Sequence, residues 1–290
     1  MQITAHVHGF KLPFTINLGP GKALERFVYA YMIYGERIWL IDTGVAGSAD
    51  EFIGYIKGTD RSPEELDTIL LTHAHPDHIG AASELKRLTG CRVAAHSDSI
   101  PWIEDVGRQY MERPIPGFQE LVGGSVEVNT RLADGDTVPL GVAGSLQVIH
   151  TPGHAGGHVC LHYDEDGVLF SGDCVPLAGS LPVYDDAVTC AKSIDKIRGL
   201  QQLRVLLSSW DEPRRGGDIP TVMNAGLAYL QRVHELVLEA AREHPEAEPT
   251  QIARVVVERL GLPAAALNPL VLNSIASHLR VADCPDLLNA

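Results

Sequence analysis

The sequence predicts an α/β domain over residues 1–218 followed by a helical region over 219–290. Three observations carry this. Short apolar, partly β-branched runs alternate with amphipathic segments through the first part of the chain. The histidine and aspartate clusters fall in loops at the ends of those apolar runs. From Ile219 onward the composition turns to Ala, Leu and Glu at helical spacing.

The elements follow in order. Phe27 to Tyr34 and Arg37 to Asp42 read as two strands joined by a turn at Gly35-Glu36. Ser48 to Ile56 reads as a helix capped by Ser48, with Glu51 three residues on. Leu66 to Leu71 is a buried strand, and Ile79 to Thr89 an amphipathic helix that Gly90 ends. Arg92 to Ala95 is a short strand. Residues 105–125 carry no clear period and are rich in proline and aromatics, which suits a lid or a surface excursion. Ser145 to His150, Val168 to Asp173 and Arg204 to Ser209 are further strands. The tail then reads as helices over Ile219 to Glu243, Pro249 to Leu260 (Thr250 as cap) and Asn268 to Val281.

Chemistry concentrates in Thr72-His73-Ala74-His75-Pro76-Asp77-His78, which sets three imidazoles and a carboxylate within residues 73–78. Neutral imidazole and carboxylate suit divalent transition metals: zinc first, iron or manganese as alternatives. His73 and His75 alternate, so in an extended loop they point the same way. A solvated polar turn has no need of three imidazoles. Thr151-Pro152-Gly153-His154 and Ser171-Gly172-Asp173 follow later strands and add His154 and Asp173. Asp42 opens a glycine-containing turn, either as a simple turn former or as a group that orients ligands from behind. His150 and His158 flank the second cluster and are read as supporting groups. His6 and His8 share a strand face and are read as packing.

With these pieces in this order, the chain resembles the metallo-β-lactamase superfamily. The matching residues are Leu40-Ile41-Asp42-Thr43-Gly44, residues 72–78, residues 151–154 and residues 171–173, over most of the first ~210 residues. The resemblance implies a four-layer αββα sandwich with metal at one edge. It implies that His73, His75 and His154 bind one ion, that Asp77 and His78 bind a second, and that Asp173 bridges. Asp77 would also act as the catalytic proton carrier. One departure stands out: many members supply a further histidine after a late strand, where this chain has Trp210. Indole has no lone pair for a metal. Either the second site has one fewer ligand or Asp211 (less so Glu212) replaces it. Trp210 also reads as a wall residue, and Tyr184, in the loop over 179–186, as a donor to a substrate oxyanion.

The resemblance implies a metallo-hydrolase of an ester-like bond, thioester or lactone, of the glyoxalase II-like or lactonase-like kind. Two alternatives stay open. One is a mononuclear-iron oxidoreductase of the persulfide dioxygenase type. The other is a non-catalytic binding module with a degenerate second site. A net charge of −14 disfavours a nucleic-acid partner but not a small anionic substrate. Five scattered cysteines suggest reduced thiols and a cytoplasmic setting. No signal-peptide pattern and no membrane-length apolar run is seen. A small-molecule substrate is expected. The tail is expected to cover either the core or a second subunit in a homodimer.

Overall fold

The computed structural model describes residues 1–17, 21 and 23–290. These divide into two compact units. The first comprises Met1–His150, Gly157–Gly172 and Gln202–Pro213, and the second Thr151–Gly156, Asp173–Gln201 and Arg214–Ala290. The helical tail is therefore joined in its unit by two loops and a helix from the middle of the chain.

The first unit is built on two sheets. One runs in the order β1 (Val7–Asn17), β2 (Ala23–Tyr34), β3 (Ile38–Ile41), β4 (Leu66–Leu70), β5 (Arg92–His96), β6 (Thr130–Leu132). Its first pairings are antiparallel and those from β3 onward parallel. The other places β7 (Thr137–Pro139), β8 (Ser145–His150), β9 (Val159–Tyr163), β10 (Val168–Gly172) and β11 (Val205–Ser208) side by side, antiparallel except for β10 with β11. Strand alternation explains the layering. On β2, Tyr29, Tyr31 and Ile33 face the second sheet and meet Val148, Leu161, Phe170 and Leu207. Val28, Ala30 and Met32 point the other way. There they pack with Phe52 and Ile56 of α1 (Ala49–Gly58) and Leu85 of α3 (Ala82–Thr89). The Tyr31 hydroxyl crosses between the sheets to the Ser208 carbonyl at 2.7 Å, and burial pushes its pKa well above the usual phenol value.

Several local expectations change. The helix expected from Ile79 is two pieces, α2 (Pro76–Ile79) and α3, broken at Gly80-Ala81. Gly80 sits where a Cβ would lie 2.3 Å from the Leu121 carbonyl and 2.5 Å from the Ala46 nitrogen. Its N–H donates to the Gly44 carbonyl, and its own carbonyl accepts from Gly123. Both neighbours are rigid backbone, so Gly80→Ala is expected to cost about 2–4 kcal/mol in urea denaturation. Gly90 ends α3 in the left-handed conformation, as expected. Ser48 precedes α1 but makes no capping bond through its side chain. Residues 105–125 contain α5 (Val106–Glu112) and α6 (Phe118–Leu121), with α4 (Ile100–Glu104) just before them. Phe118, Leu121 and Val122 enter the core, so the segment is anchored at its C-terminal end.

The second unit is mostly helical: α7 (Ala187–Arg198), α8 (Asp218–Glu243), α9 (Pro249–Arg259) and α10 (Pro269–Leu279), with a two-residue strand β12 (Arg214–Arg215). Asp186 caps α7, and Asn268 caps α10 as its position suggests. Thr250 is not the cap of α9; Glu248 is, in a reciprocal box with Gln251, because Pro249 takes the first helical position. Val233, Leu236 and Val237 of α8 pack with Val256 and Val257 of α9 and Val271 and Ile275 of α10. None of the helices among the described residues is long and apolar enough to cross a membrane.

A polar chain runs through this helical core. The Tyr184 hydroxyl lies 2.7 Å from His278 Nε2, His278 Nδ1 lies 3.3 Å from His234 Nδ1, and His234 Nε2 donates to the Cys284 carbonyl. Burial, then the neighbouring His234, pushes the His278 pKa down to about 3; Arg280 adds to the depression and Asp186 opposes it. The folded pKa lies below the unfolded value, so the stabilising term is complete above pH ~6.5 and is lost as pH falls toward the folded pKa. Below pH 6.5 this residue contributes a slope of about 1.4 kcal/mol per pH unit. Urea stability measured from pH 7 to 5 is expected to fall less steeply for His278→Gln than for wild type by that amount. Equal slopes would show that His278 is not held neutral.

Candidate metal centre

The loop that carries His73 and His75 leaves β4 and enters α2. His75 precedes α2 in extended conformation, and Pro76 takes the first helical position, where its missing N–H costs nothing. His73, His75 and His78 are all buried in the first unit. The ring centroids of His73 and His78 are 4.0 Å apart, and those of His73 and His75 4.4 Å.

Asp42 organises this group. It is 2% exposed and holds a left-handed backbone, φ 58°, a conformation that costs a non-glycine residue on the order of 1–2 kcal/mol. Its Oδ1 accepts the Thr72 backbone N–H at 2.8 Å. Its Oδ2 accepts the Thr72 hydroxyl and His78 Nδ1–H, each at 2.8 Å. The turn-former reading of Asp42 is therefore too small: its carboxylate accepts three hydrogen bonds from the loop behind the imidazoles.

These bonds fix tautomers. The one Thr72 hydroxyl proton goes to Asp42, so at 3.0 Å from His73 Nδ1 the hydroxyl must accept, and His73 carries its proton on Nδ1. Its lone pair is on Nε2. By the same reasoning His78 carries its proton on Nδ1 and its lone pair on Nε2, which faces Asp77 Oδ2 at 3.5 Å. His73 Nε2 and His75 Nδ1 lie 2.9 Å apart. Two imidazole nitrogens on one tetrahedral zinc, each at ~2.0–2.1 Å, would sit roughly 3.3 Å apart, so this spacing needs only a small opening to hold a cation. The Asp77 side chain is 17% exposed, the most open of these groups.

Sequence reasoning missed one residue here. Gln109 of α5 is fully buried and donates through Nε2 to the Ala74 carbonyl, between the two alternating histidines. Its Oε1 is buried without a hydrogen-bond partner, a costly state for an amide oxygen. A lone glutamine in an unpatterned segment carries no sequence signal of this.

The second unit holds the other two ligand candidates. His154 follows the tight Gly153 turn, φ 123°, where a Cβ would lie 2.3 Å from the Cys190 nitrogen of α7. The Gly153 carbonyl accepts from the Asp185 and Asp186 N–H groups, and the Pro152 carbonyl from the Ser193 hydroxyl. His154 Nδ1 donates to the Val183 carbonyl at 2.9 Å, which again leaves the lone pair on Nε2. That nitrogen faces Asp173 Oδ2 at 3.3 Å. The first unit thus presents His73 and His78 with Nε2 as the lone-pair nitrogen, the latter beside Asp77, and the second unit presents His154 in the same tautomer beside Asp173. Imidazole with carboxylate is a donor set that fits a divalent transition metal.

The remaining candidates fall elsewhere. Tyr184 is 2% exposed, and its hydroxyl is engaged by His278. The expectation that it donates to a substrate is corrected: helix α10 covers it. Trp210 packs edge-on against Phe14 and tilted against Phe27, with the Arg26 guanidinium 4.6 Å over its ring, so it is a packing residue of the first unit. Asp211 accepts the backbone N–H of Glu212 through Oδ1, which ties that oxygen to its own turn. His158 is buried, its ring 5.1 Å from that of His73. His150 turns to His96 instead.

The metallo-beta-lactamase superfamily profile matches residues 23–210. Among curated proteins, a hydroxyacylglutathione hydrolase from Methylococcus capsulatus is 27% identical over 237 residues, 77% of this chain and 81% of the relative. A hydroxyacylglutathione hydrolase from Rhodopseudomonas palustris (strain BisA53) is 35% identical over 146 residues, 49% of this chain and 48% of the relative. Apart from the first, the chain spans about half the length of these curated relatives. Among solved structures, a metallo-beta-lactamase family protein from Thermus thermophilus aligns with a TM-score of 0.68 at 22% identity, covering 93% of this chain and 91% of that one. A beta-lactamase domain protein from Burkholderia ambifaria aligns with a TM-score of 0.72 at 20% identity, covering 97% and 86%. Both share the αββα fold with this chain. By the profile match over more than half of its length, the chain belongs to the metallo-β-lactamase superfamily.

Proposed function

We propose that the protein is a metal-dependent hydrolase of small thioesters. His73, His75 and His154 would hold one divalent metal, and Asp77 and His78 a second, with Asp173 serving both. The observation that carries the reading is the Asp42 network, which sets the lone pairs of His73 and His78 on Nε2. A purely structural cluster has no need of matched tautomers. The choice of thioester over lactone rests on the curated relatives, whose names describe hydrolysis of a hydroxyacyl thioester.

When bound, the metal supplies a Lewis acid that acidifies water and polarises a carbonyl. The chain's own residues do the rest. Asp42, directly for His78 and through Thr72 for His73, keeps Nε2 of those two imidazoles unprotonated. Gln109 holds the Ala74 carbonyl, and with it the spacing of His73 and His75. Val183 holds His154 in register. Asp77 carries a carboxylate that accepts the proton released as water adds to the thioester carbonyl and returns it to the departing sulfur.

The test is a substrate panel with metal-reconstituted protein: a hydroxyacyl thioester of a small thiol against a homoserine-type lactone. The reading expects kcat/KM for the thioester to exceed that for the lactone by at least tenfold. A lactone preference would overturn the substrate assignment but leave the metallo-hydrolase intact.

A further inference from the structure

The first unit contains a second group of metal-competent side chains, distinct from the His73 cluster. His96 ends β5 on one sheet, and His150 ends β8 on the other. Their rings stack face to face, centroids 4.1 Å apart and planes 9° from parallel. Asp98, two residues beyond His96, places Oδ2 3.9 Å from His96 Nδ1. One donor atom from each of the three lies within 4.8 Å of the others.

We propose that His96, His150 and Asp98 form an accessory site for a borderline divalent transition cation such as zinc. Two imidazoles and one carboxylate are a donor set that such ions accept, with the remaining position left to water. His96 is buried, whereas the Asp98 side chain is 63% exposed. Two arms move: the Asp98 carboxylate closes from 3.9 Å to the roughly 3.3 Å donor spacing of tetrahedral zinc by a rotamer adjustment at an exposed residue, and the half-buried His150 ring turns out of the stack so that its in-plane lone pair meets that of His96 at the ion. A 3.9 Å approach is too long for a hydrogen bond, so the Asp98 carboxylate is not hydrogen-bonded to His96 Nδ1. His150 is anchored independently, since its backbone N–H donates to Asp134 Oδ1 at 2.7 Å. Asp134 and Asp98 add negative charge on the cation's side. Burial, then the stacked His150, holds the His96 pKa below its usual value, so its lone pair is available at neutral pH. The Asp98 backbone N–H donates to His96 Nδ1 at 3.3 Å, a long bond that an ion at that nitrogen would displace. Because the two histidines end strands of opposite sheets, a bound ion would clamp the sandwich.

The experiment uses the full chain, stripped with chelator, and zinc alone as the probe. His73→Ala/His75→Ala/His78→Ala serves as background, so that neither proposed metal position of the hydrolytic centre keeps more than one imidazole. Equilibrium dialysis with elemental analysis should find one equivalent of zinc retained, and zinc should raise the melting temperature. Adding Asp98→Asn should weaken binding at least tenfold, and adding His96→Gln should abolish both the bound equivalent and the thermal shift. Zinc binding of the same affinity after both substitutions would overturn the proposal, as would no binding in the background variant. The exposed Asp98 keeps the test valid if His96→Gln fails to fold. None of these outcomes depends on hydrolytic activity, so failure here leaves the proposed hydrolase standing.

Discussion

Replacing Asp42 with asparagine is expected to lower metal affinity by about 10–100-fold, the usual cost of removing a group that orients ligands. The carboxylate accepts from Thr72 N–H, the Thr72 hydroxyl and His78 Nδ1–H at once. An amide offers one oxygen and two N–H groups. If the oxygen keeps the Thr72 N–H, the NH₂ faces His78 and the Thr72 hydroxyl. His78 must then accept at Nδ1 and carry its proton on Nε2, where the metal needs a lone pair. Thr72 is freed to donate to His73, which reverses that tautomer too. The chain should still fold, because asparagine tolerates the left-handed backbone at this position better than most residues. The stability loss should stay near the value of one or two hydrogen bonds, about 1–3 kcal/mol. Competition against a chromophoric chelator, paired with urea denaturation, separates the two effects. A large stability loss with unchanged metal affinity would make Asp42 a turn residue after all.

Replacing His75 with alanine is expected to cut thioester hydrolysis by about 10³-fold or more. The estimate takes several kcal/mol of transition-state stabilisation from the metal and about 1.4 kcal/mol per tenfold. His75 is buried and its Nδ1 lies against His73 Nε2, so no neighbour substitutes for it. Steady-state kinetics with metal content measured on the same sample checks this. Wild-type rates in a variant that holds no metal would remove the mechanism.

The chemistry of this chain is legible in its sequence where the groups are local. His73 and His75 lie in the loop after β4 and Asp77 and His78 in the short helix α2 that follows it, and strand ends at Leu70 and Gly172 place loops where the motifs expect them. What sequence hides depends on contacts between distant segments. At the break, Gly80 lies against the backbone of Leu121 and Ala46, a contact no helical period encodes. Helices of seven and four residues, α5 and α6, are too short to show a period at all, so nothing in the sequence marks Gln109. Tyr184 reads as a loop donor because the residue that claims it, His278, lies 94 positions away. Trp210 packs as a wall residue can, but its aromatic partners, Phe14 and Phe27, come from the first two strands and are not marked in the sequence. Asp42 shows the reverse case. Its sequence context leaves it between turn former and orienting group, and the fold gives its carboxylate three hydrogen bonds, two from Thr72 and one from His78.

The central claim, metal-dependent thioester hydrolysis, is tested most directly by stripping the protein with chelator and titrating back zinc, iron and manganese while following cleavage of a hydroxyacyl thioester. The account predicts that activity disappears on stripping and returns in proportion to metal bound, saturating at one or two equivalents at the His73-containing centre. Full activity in the stripped protein, or none at any metal loading, would contradict it.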